Sequence, residues 1–464
     1  MRTVVATVVQ RQAPQALNDA ATHAMQSFLE ALNIPLATLA IKGEKGNTRT
    51  MARLKLSRAA SFWLLATVFA FFLFAAGAPS PLYVVYEAMW HFSSLTLTAI
   101  FGVYALALLA ALLTTGRLSD HLGRRPVVLL ALVVQIVSMV AFISARGVGM
   151  LFAARVLQGL GTGLATGALS AWLLDLQPPD NPRLGSLVAS VAPVAGLAAG
   201  ALVSGLLVQY GPDPLHLVFS LLCAVYALAF AAMPVIADVA KRTPGWLQSM
   251  RPQIGVPPAA RSLFAASAPS LIATWALGGL YLSQGPSLAL SLLKSDSYLA
   301  GAGVIVALMG AVAVAATLVR AADARVIVIR ASLVLVVGVG ITELSVALGS
   351  AVGLYAGSVL AGLGFGPAFS AVFRSLAPLA PPDKRAGLLA SIFIVVYLAF
   401  SVPALIAGVA VTHYGLRDTT YVYGIVVMTL AAMTAVAVWR RRGQTLRPPS
   451  QQGLRSPIAR SRRR

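Results

Sequence analysis

The chain has 464 residues, of which 58% are hydrophobic and only 11% are charged, and its mean hydropathy is +0.82. Ordinary globular chains carry about 25% charged residues, so a soluble fold could not bury this much apolar surface. The formal net charge of +21 does not indicate a nucleic-acid-binding surface, because the basic residues lie in the tails and in alternate loops. A chain of this length accommodates about twelve membrane-spanning helices of roughly 20 residues each.

Long apolar runs predict the helices, and polar stretches or stretches with Pro and Gly separate them. The first six are expected at residues 60–86, 94–115, 126–145, 149–174, 184–208 and 214–236. The second six are expected at residues 263–290, 298–319, 326–347, 350–377, 385–411 and 419–439. The single cysteine, Cys223, lies inside an apolar run, so one chain forms neither a disulfide nor a cysteine-based metal site.

An internal repeat at an offset of 203 residues relates the two groups of six helices. Residues 156–163 (VLQGLGTG) return as residues 359–366 (VLAGLGFG), and residues 178–180 (PPD) return as residues 381–383. Six helices separate the copies, and an even number of spans gives the copies the same orientation. The sequence therefore predicts an all-α membrane protein with twelve transmembrane helices in two pseudo-symmetric six-helix bundles.

The expected domain boundaries follow from this arrangement. Residues 1–57 form an N-terminal tail, 58–237 the first bundle, 238–261 a linker, 262–440 the second bundle and 441–464 a basic tail. Lys and Arg concentrate on one side of the predicted spans, which places the linker and both termini in the cytoplasm of a cell with a bacterial-type inner membrane. The N-terminal tail is interpreted as flexible, with an amphipathic surface helix at residues 16–39 as the alternative. Translation could begin at Met1 or at Met51.

A short, highly charged turn, GRLSDHLGRR at residues 116–125, lies between the second and third helices. It resembles the loop motif of the major facilitator superfamily, G-x-x-x-D-R-x-G-R-R, with His121 at a position that is usually basic. The resemblance implies an inner-gate latch, in which the loop engages a second acid at the inner end of helix 4. Its members would be Gly116, Asp120, Gly123, Arg124, Arg125 and Asp175. The alternative is that the arginines only direct topology.

Helix 4 carries the sequence RVLQGLG at residues 155–161, which resembles the second motif of this family, R-x-x-Q-G-x-G. The resemblance assigns Arg155 to cavity electrostatics and proton coupling. Ser358 stands at the equivalent position of the second half, so helix packing does not require the charge. An arginine near mid-helix costs about 2.5–3.5 kcal/mol on insertion scales, which some function should offset. A side chain that snorkels to the outer interface is the alternative.

Small residues predict two close helix contacts. On helix 4, three glycines recur at every fourth position: Gly159, Gly163 and Gly167. Helix 5 contains residues 192–200 (APVAGLAAG), with Pro193, Gly196 and Gly200. This stretch is similar to the glycine- and proline-rich motif of proton-coupled antiporters, although Ala192 and Leu197 replace two of its glycines. A proline-kinked packing helix accounts for it equally well.

The family fold implies that helices 1, 2, 4 and 5 and their repeats 7, 8, 10 and 11 line the substrate path. The expected lining is aromatic or amide: Tyr83, Tyr104, Gln158, Trp275, Tyr281, Gln284 and Tyr397. Such a lining suits apolar or amphipathic ligands, although each aromatic side chain can equally serve packing or the membrane interface. The acids within predicted spans are few. Glu87 lies at the outer end of helix 1, and Glu343, near the outer end of helix 9, is expected at the interface rather than as a proton carrier.

These observations favour a secondary active transporter that works by alternating access and exports small amphipathic compounds in exchange for protons. Proton-linked uptake of a small metabolite is the first alternative, and a receptor or scaffold that keeps the fold is the second. The sequence lacks G-x-S-x-G, H-E-x-x-H and phosphate-loop motifs, so an enzyme is not expected. No cofactor, metal or nucleic acid is expected. The expected partners are a small-molecule substrate, protons and the lipid bilayer, with the protein as a monomer.

Overall fold

The computed structural model describes residues 56–238, 240, 243–294, 297–318, 323–381 and 384–440. The predicted tails at 1–57 and 441–464 lie outside these residues, apart from Leu56 and Ser57. Eleven helical segments of the described chain are long and apolar enough to cross a membrane. The longest, Arg385–Arg440, has 56 residues, or about 84 Å of helix, and non-helical Gly415 divides it into two spans. The described chain thus has the twelve spans that the sequence predicts.

The helices follow the apolar runs of the sequence. In the first half they are α1 Arg58–Trp90, α2 Ser94–Thr115, α3 Arg124–Ile143, α4 Val148–Leu176, α5 Leu184–Tyr210 and α6 Leu217–Val235. In the second half, α7 comprises Pro258–Ser283 and Gly285–Leu293, and it is followed by α8 Tyr298–Leu318, α9 Ala324–Leu348 and α10 Ala351–Leu379. Helices α11 and α12 share Arg385–Arg440 on either side of Gly415. Helix α7 begins at Pro258, inside the predicted linker of 238–261.

The first helix of each half is broken at a proline. In α1 the break is at Ala78, directly before Pro79, and in α7 it is at Gln284, two residues before Pro286. Proline has no N–H to donate, so the helical hydrogen-bond ladder is interrupted at both places. The two helices end at His91 and Lys294, which are 203 residues apart and both have left-handed backbones with φ of 50° and 47°. The repeat therefore extends to the helix caps.

The bundle has two ends, which we name proximal and distal. The proximal end carries Arg58, the short helices Leu118–Leu122 and Trp246–Ser249, and Arg440. The distal end carries the turns after α1, α3, α5, α7, α9 and α11. All twelve helices run between these two ends.

The two halves pack against each other near the distal end, through α2 with α11 and α5 with α8. The close pairs are Gly102 with Leu405, Thr98 with Gly408 and Gly205 with Ala302. In addition, the side-chain oxygen of Gln209 accepts a 2.9 Å hydrogen bond from the backbone N–H of Tyr298. Each of these residues lies in the distal half of its helix, so the distal end is closed.

Buried side chains form two clusters, which show where the halves separate. The larger cluster contains residues of both halves. The smaller contains described residues of the second half alone, including Ala260, Ile327 and Val438 near the proximal ends of α7, α9 and α12. On the proximal part of α5, residues 189–195 are half-buried or exposed. The halves thus share a core towards the distal end, and from the burial pattern we infer that a cleft between them opens at the proximal end.

Candidate functional site

The turn between α2 and α3 is built around two glycines. Gly116 ends α2 with its N–H bonded to the carbonyl of Leu112, and a Cβ here would lie 2.6 Å from that oxygen. The helix Leu118–Leu122 follows, and Gly123 then adopts φ of 97°, a backbone that side chains rarely allow. This geometry brings the carboxylate of Asp120 next to the first residues of α3.

Arg124 is the centre of a polar network in this turn. Its Nη1 donates to the carboxylate of Asp120 and, over 2.8 Å, to the hydroxyl of Ser119. Its Nε donates to Oδ2 of Asp175 at the proximal end of α4, over 3.1 Å. The side chain of Arg124 is 12% exposed, whereas that of Asp120 is 51% exposed. The structure therefore brings together the loop acid, the loop arginine and the acid of α4, all within the first half.

Asp238, three residues after the end of α6, joins the same network and was not predicted from the sequence. Its carboxylate accepts the backbone N–H groups of Arg124 at 3.4 Å and Arg125 at 3.3 Å, which are the first two residues of α3. A helix N-terminus carries partial positive charge and unpaired N–H groups, so a carboxylate there is stabilising. The side chain of Arg125 donates to the carbonyl of Ile236 instead of to an acid. No local pattern marks Asp238, because its partners lie 113 and 114 residues away.

His121 contacts the connection between the halves. Its Nδ1 lies 3.0 Å from the carbonyl oxygen of Thr243 and 3.1 Å from that of Pro244. A ring nitrogen this close to carbonyl oxygens acts as the donor. His121 thus fastens the described part of the connecting segment to the turn that holds Asp120.

Arg155 lies at the centre of a second polar group, between α4 and the break in α1. The side chain is fully buried, and its Nη1 donates to Oε1 of Gln158 at 2.5 Å and to the carbonyl of Ala76 at 3.3 Å. The guanidinium carbon lies 5.5 Å from the ring centre of Tyr83 and 4.9 Å from that of Tyr104. The expected alternative of a snorkelling Arg155 is wrong, since the side chain points into the protein and ends against the backbone of α1.

Pro79 explains why the side-chain amide of Gln158 faces α1. The carbonyl of Ala75 would normally accept the N–H of residue 79, but proline has none. Nε2 of Gln158 donates to this carbonyl over 2.8 Å. Nε and Nη2 of Arg155 are buried without a hydrogen-bond partner among the described residues. The polar group around Arg155 therefore holds a positive charge with unused hydrogen-bond donors. Two aromatic rings flank this charge.

Two residues of the predicted lining, Trp275 and Tyr397, belong to an aromatic group in the second half that is centred on Trp275. The rings of Phe365, Phe369, Tyr397 and Phe400 all have centres within 5.9 Å of the Trp275 ring. Phe400 in turn lies 4.9 Å from Phe101 of α2, across the contact between the halves. Trp275, Phe369 and Tyr397 are only half-buried. This aromatic group lies where the shared core of the two halves ends and the cleft begins.

Tyr281 and Gln284 do not join the aromatic group. The hydroxyl of Tyr281 lies 3.0 Å from that of Ser358 and 3.4 Å from that of Thr342, inside the second half. Gln284 is buried at the break in α7, and both side chains line a small enclosed cavity together with Glu343. Glu343, expected near the outer interface, is half-buried, and its Oε2 is buried without a hydrogen-bond partner among the described residues. The residues predicted to form one lining thus divide into three groups.

The small residues of α4 and α5 lie at close helix contacts. A Cβ on Gly159, Gly163 or Gly167 would meet α2, at Tyr104, Leu108 and Gly116 respectively. A Cβ on Gly196 or Gly200 would collide with the carbonyl oxygens of Ala70 and Phe74 on α1. Pro193 lies within α5, which stays helical from Leu184 to Tyr210. These contacts hold α1, α2, α4 and α5 together around Arg155.

Comparisons with known proteins agree with this architecture. The family model of the Major Facilitator Superfamily matches residues 62–356, more than half of the chain. An uncharacterised MFS-type transporter of Mycobacterium tuberculosis is 37% identical over 116 residues, which are 24% of this chain and 20% of that protein. An uncharacterised transporter of Rickettsia felis is 30% identical over 129 residues, which are 27% of this chain and 31% of that protein. Both matches therefore span less than a third of these curated relatives.

Two solved structures share the fold over most of their length. A bacterial homologue of the human lysosomal transporter Spinster, in an inward-facing and occupied conformation, has a TM-score of 0.66 at 12% identity and covers 82% of this chain and 96% of its own. A POT family transporter in complex with 5-aminolevulinic acid has a TM-score of 0.65 at 13% identity, with the same coverage of 82% and 96%. With twelve spans in two repeated halves and a family match over most of them, the chain belongs to the Major Facilitator Superfamily.

Proposed function

We propose that the protein exports small amphipathic compounds by alternating access, driven by protons that enter in exchange. One observation carries this proposal: the halves are packed together at the distal end and separated at the proximal end, with the aromatic group around Trp275 at the closed end of the cleft. A cleft closed at one end by repeated halves is the geometry that rocking would invert.

The orientation is inferred from the distribution of positive charge. The proximal end carries Arg117, Arg124 and Arg125 in a single turn, whereas the distal turns carry only scattered basic residues: Arg146, Lys294 and Arg417. Cytoplasmic flanks retain an excess of Lys and Arg, so the proximal end faces the cytoplasm of a bacterial-type inner membrane. In this orientation the described conformation is open to the cytoplasm, where an exporter collects its substrate.

The chemistry of the cleft supports a small amphipathic substrate. Trp275, Phe369 and Tyr397 offer apolar faces, and the buried Arg155 offers a positive potential behind Tyr83. Few polar groups converge on the aromatic group, so a ligand rich in hydroxyl groups would lose its hydrogen bonds with water there. Arg155 and Gln158 would adjust the electrostatics of the cavity, and the network around Arg124 would act as the inner-gate latch. The protein would work as a monomer.

Transport by inverted membrane vesicles tests direction and coupling together. The probes are a fluorescent lipophilic cation and a panel of neutral and anionic amphiphiles, with an imposed proton gradient that is acidic inside. Export predicts accumulation of at least one probe inside the vesicles and its release when the gradient collapses. Accumulation only in right-side-out vesicles, with the gradient reversed so that the outside is acidic, would support proton-linked uptake instead. If no probe responds, proton-coupled amphiphile efflux is rejected.

A receptor or scaffold is separated from a transporter by Arg155→Ala. A transporter loses flux in this variant while the purified protein stays monodisperse in detergent. Equal probe movement in wild-type protein, the variant and empty vesicles would favour a protein that does not transport.

A further inference from the structure

A small enclosed cavity lies inside the second half, apart from the cleft. It is lined by polar groups from three helices together with apolar residues: Tyr281, Gln284 and Leu288 of α7, Thr342 and Glu343 of α9, and Thr420 of α12. The space open to the centre of a water molecule is about 20 Å³. This volume accommodates one water molecule and excludes an organic substrate.

Gly424 on α12 determines where Glu343 points. A Cβ at position 424 would collide with Oε1 of Glu343, so only glycine leaves room for this carboxyl group to lie across α12. Oε2 of Glu343 is buried and has no hydrogen-bond partner among the described residues, and the same holds for Nε2 of Gln284. By helix rise, Glu343 lies about 8 Å from the distal end of α9 at Leu348, within the span.

No described cation neutralises Glu343. The residues that line the cavity from α7, α8, α9 and α12 include Tyr281 as the only titratable side chain besides Glu343, and no Lys or Arg. From α10, Ser358 reaches the site only through the hydroxyl of Tyr281. Two basic residues, Lys294 and Arg417, line a separate open pocket at the distal surface, where Arg417 donates to the carbonyl of Ala347.

Burying one oxygen of a charged carboxylate without a partner is costly, and such a group ordinarily becomes neutral by binding a proton or holds a cation. We propose that Glu343 is a reversible proton-binding site, in which the carboxylate takes up one proton to become a neutral carboxylic acid facing Gln284 and Tyr281. The cavity is large enough for a single water molecule, and this molecule would relay the proton. The site itself rests on the geometry of the second half, whereas its role in driving transport rests on the proposed function.

The repeat indicates that the site is specific to the second half. At the 203-residue offset Val140 replaces Glu343, and it is 48% exposed on the outer face of α3. Nearby, the stacked rings of Phe142 and Phe219, with centres 4.4 Å apart, fill the space between α3 and α6. Conversely, Ser358 replaces Arg155 in the second half. Neither Arg155 nor Glu343 therefore has an ionisable counterpart at the equivalent position of the other half.

Infrared difference spectroscopy on the purified full-length protein tests the site directly. A protonated carboxyl group has its own C=O stretching band, which disappears when the pH is raised. We expect this band in wild-type protein and in the control Glu87→Gln, which removes the half-buried acid at the distal end of α1. We expect its loss in Glu343→Gln. A band unchanged in Glu343→Gln overturns the proposal, and so does a band that NaCl, but not choline chloride, removes at constant pH, because the site would then hold Na⁺.

Gln284→Leu keeps the test decisive if Glu343→Gln does not fold. This variant leaves the carboxyl group in place but removes the facing amide, so the frequency of the band should shift. A band at the wild-type frequency would assign the proton to another group. In vesicles, Glu343→Gln should lose proton-driven accumulation of any amphiphile that the wild type transports, while exchange of labelled for unlabelled amphiphile continues. If no amphiphile moves in the wild type, the proposed function fails and the infrared result still decides the site.

Discussion

The contact between Thr98 on α2 and Gly408 on α11 allows a direct test of whether the halves rock. A Cβ built on Gly408 lies 3.0 Å from Cβ of Thr98, and it collides with the Oγ1 of that threonine. In the variant Thr98→Cys/Gly408→Cys, a sulfur replaces the colliding oxygen and becomes the bonding partner. Disulfides need Cβ atoms roughly 3.5–4.5 Å apart, so a shift of about 0.5 Å is sufficient. We expect the pair to oxidise readily in the described conformation.

Locking this pair should stop transport. The disulfide limits the Cβ atoms to a separation of about 4.5 Å, which is too narrow for an amphipathic molecule to pass between α2 and α11. The experiment uses a Cys223→Ser background, because Cys223 is the only natural cysteine. Cross-linking is measured by mass spectrometry of the joined peptides, and flux is measured before oxidation, after oxidation and after reduction. We expect at least a tenfold loss of flux that the reductant reverses.

A proximal pair on α5 and α8 serves as the matched control. These helices run in opposite directions and touch at Gly205 and Ala302, so Ser190 and Thr317 lie 15 residues further towards the proximal end on each helix. By helix rise this is about 22 Å from the contact. We expect Ser190→Cys/Thr317→Cys to cross-link only when the proximal end closes. Full flux with the distal disulfide intact would refute the rocking mechanism, and simultaneous formation of both disulfides in one chain would contradict alternating closure.

The remaining predictions concern packing, the buried arginine and the polar network. Gly200→Ala should lower the melting temperature in detergent, because overpacking against a backbone carbonyl costs about 1–3 kcal/mol, whereas Gly310→Ala, whose Cβ meets nothing within 4 Å, should leave it unchanged. Arg155→Lys should reduce flux about tenfold or more with little change in melting temperature, because an ammonium group lacks the planar guanidinium that lies over the rings of Tyr83 and Tyr104; wild-type flux would argue against a role for this geometry. Asp175→Asn should slow transport by removing the charged partner of Arg124, and equal slowing by the exposed loop control Asp180→Asn would show that the pair is not the cause.

The helices and their repetition could be predicted because both are visible as patterns in the sequence alone. Apolar runs fix the spans, and the 203-residue offset fixes which spans correspond. The position of Asp175 beside Arg124 could also be predicted, since the loop motif implies a second acid at the end of α4. These features depend on a few neighbouring residues or on a known pattern, so tertiary packing did not have to be known.

The grouping of the polar side chains could not be predicted from the sequence in the same way. The direction of Glu343 depends on the absence of a side chain at Gly424, which lies 81 residues later on another helix. Similarly, Gln158 faces α1 because Pro79 frees the carbonyl of Ala75. Periodicity places a residue on a helix face, but the neighbour that makes room for its side chain is known only once the helices are packed.

The state of the Arg124 network constrains how the proximal end can close. Arg124 already contacts Asp120 and Asp175 in a conformation whose proximal end is open, and all three residues belong to the first half. These ion pairs therefore cannot by themselves hold the two halves together. Together with Asp238 they join α3, α4 and the segment after α6, which makes the proximal end of the first half a stiff unit. Closure then requires a partner from the second half, and the half-exposed carboxylate of Asp120 is the member of the network that remains accessible to one.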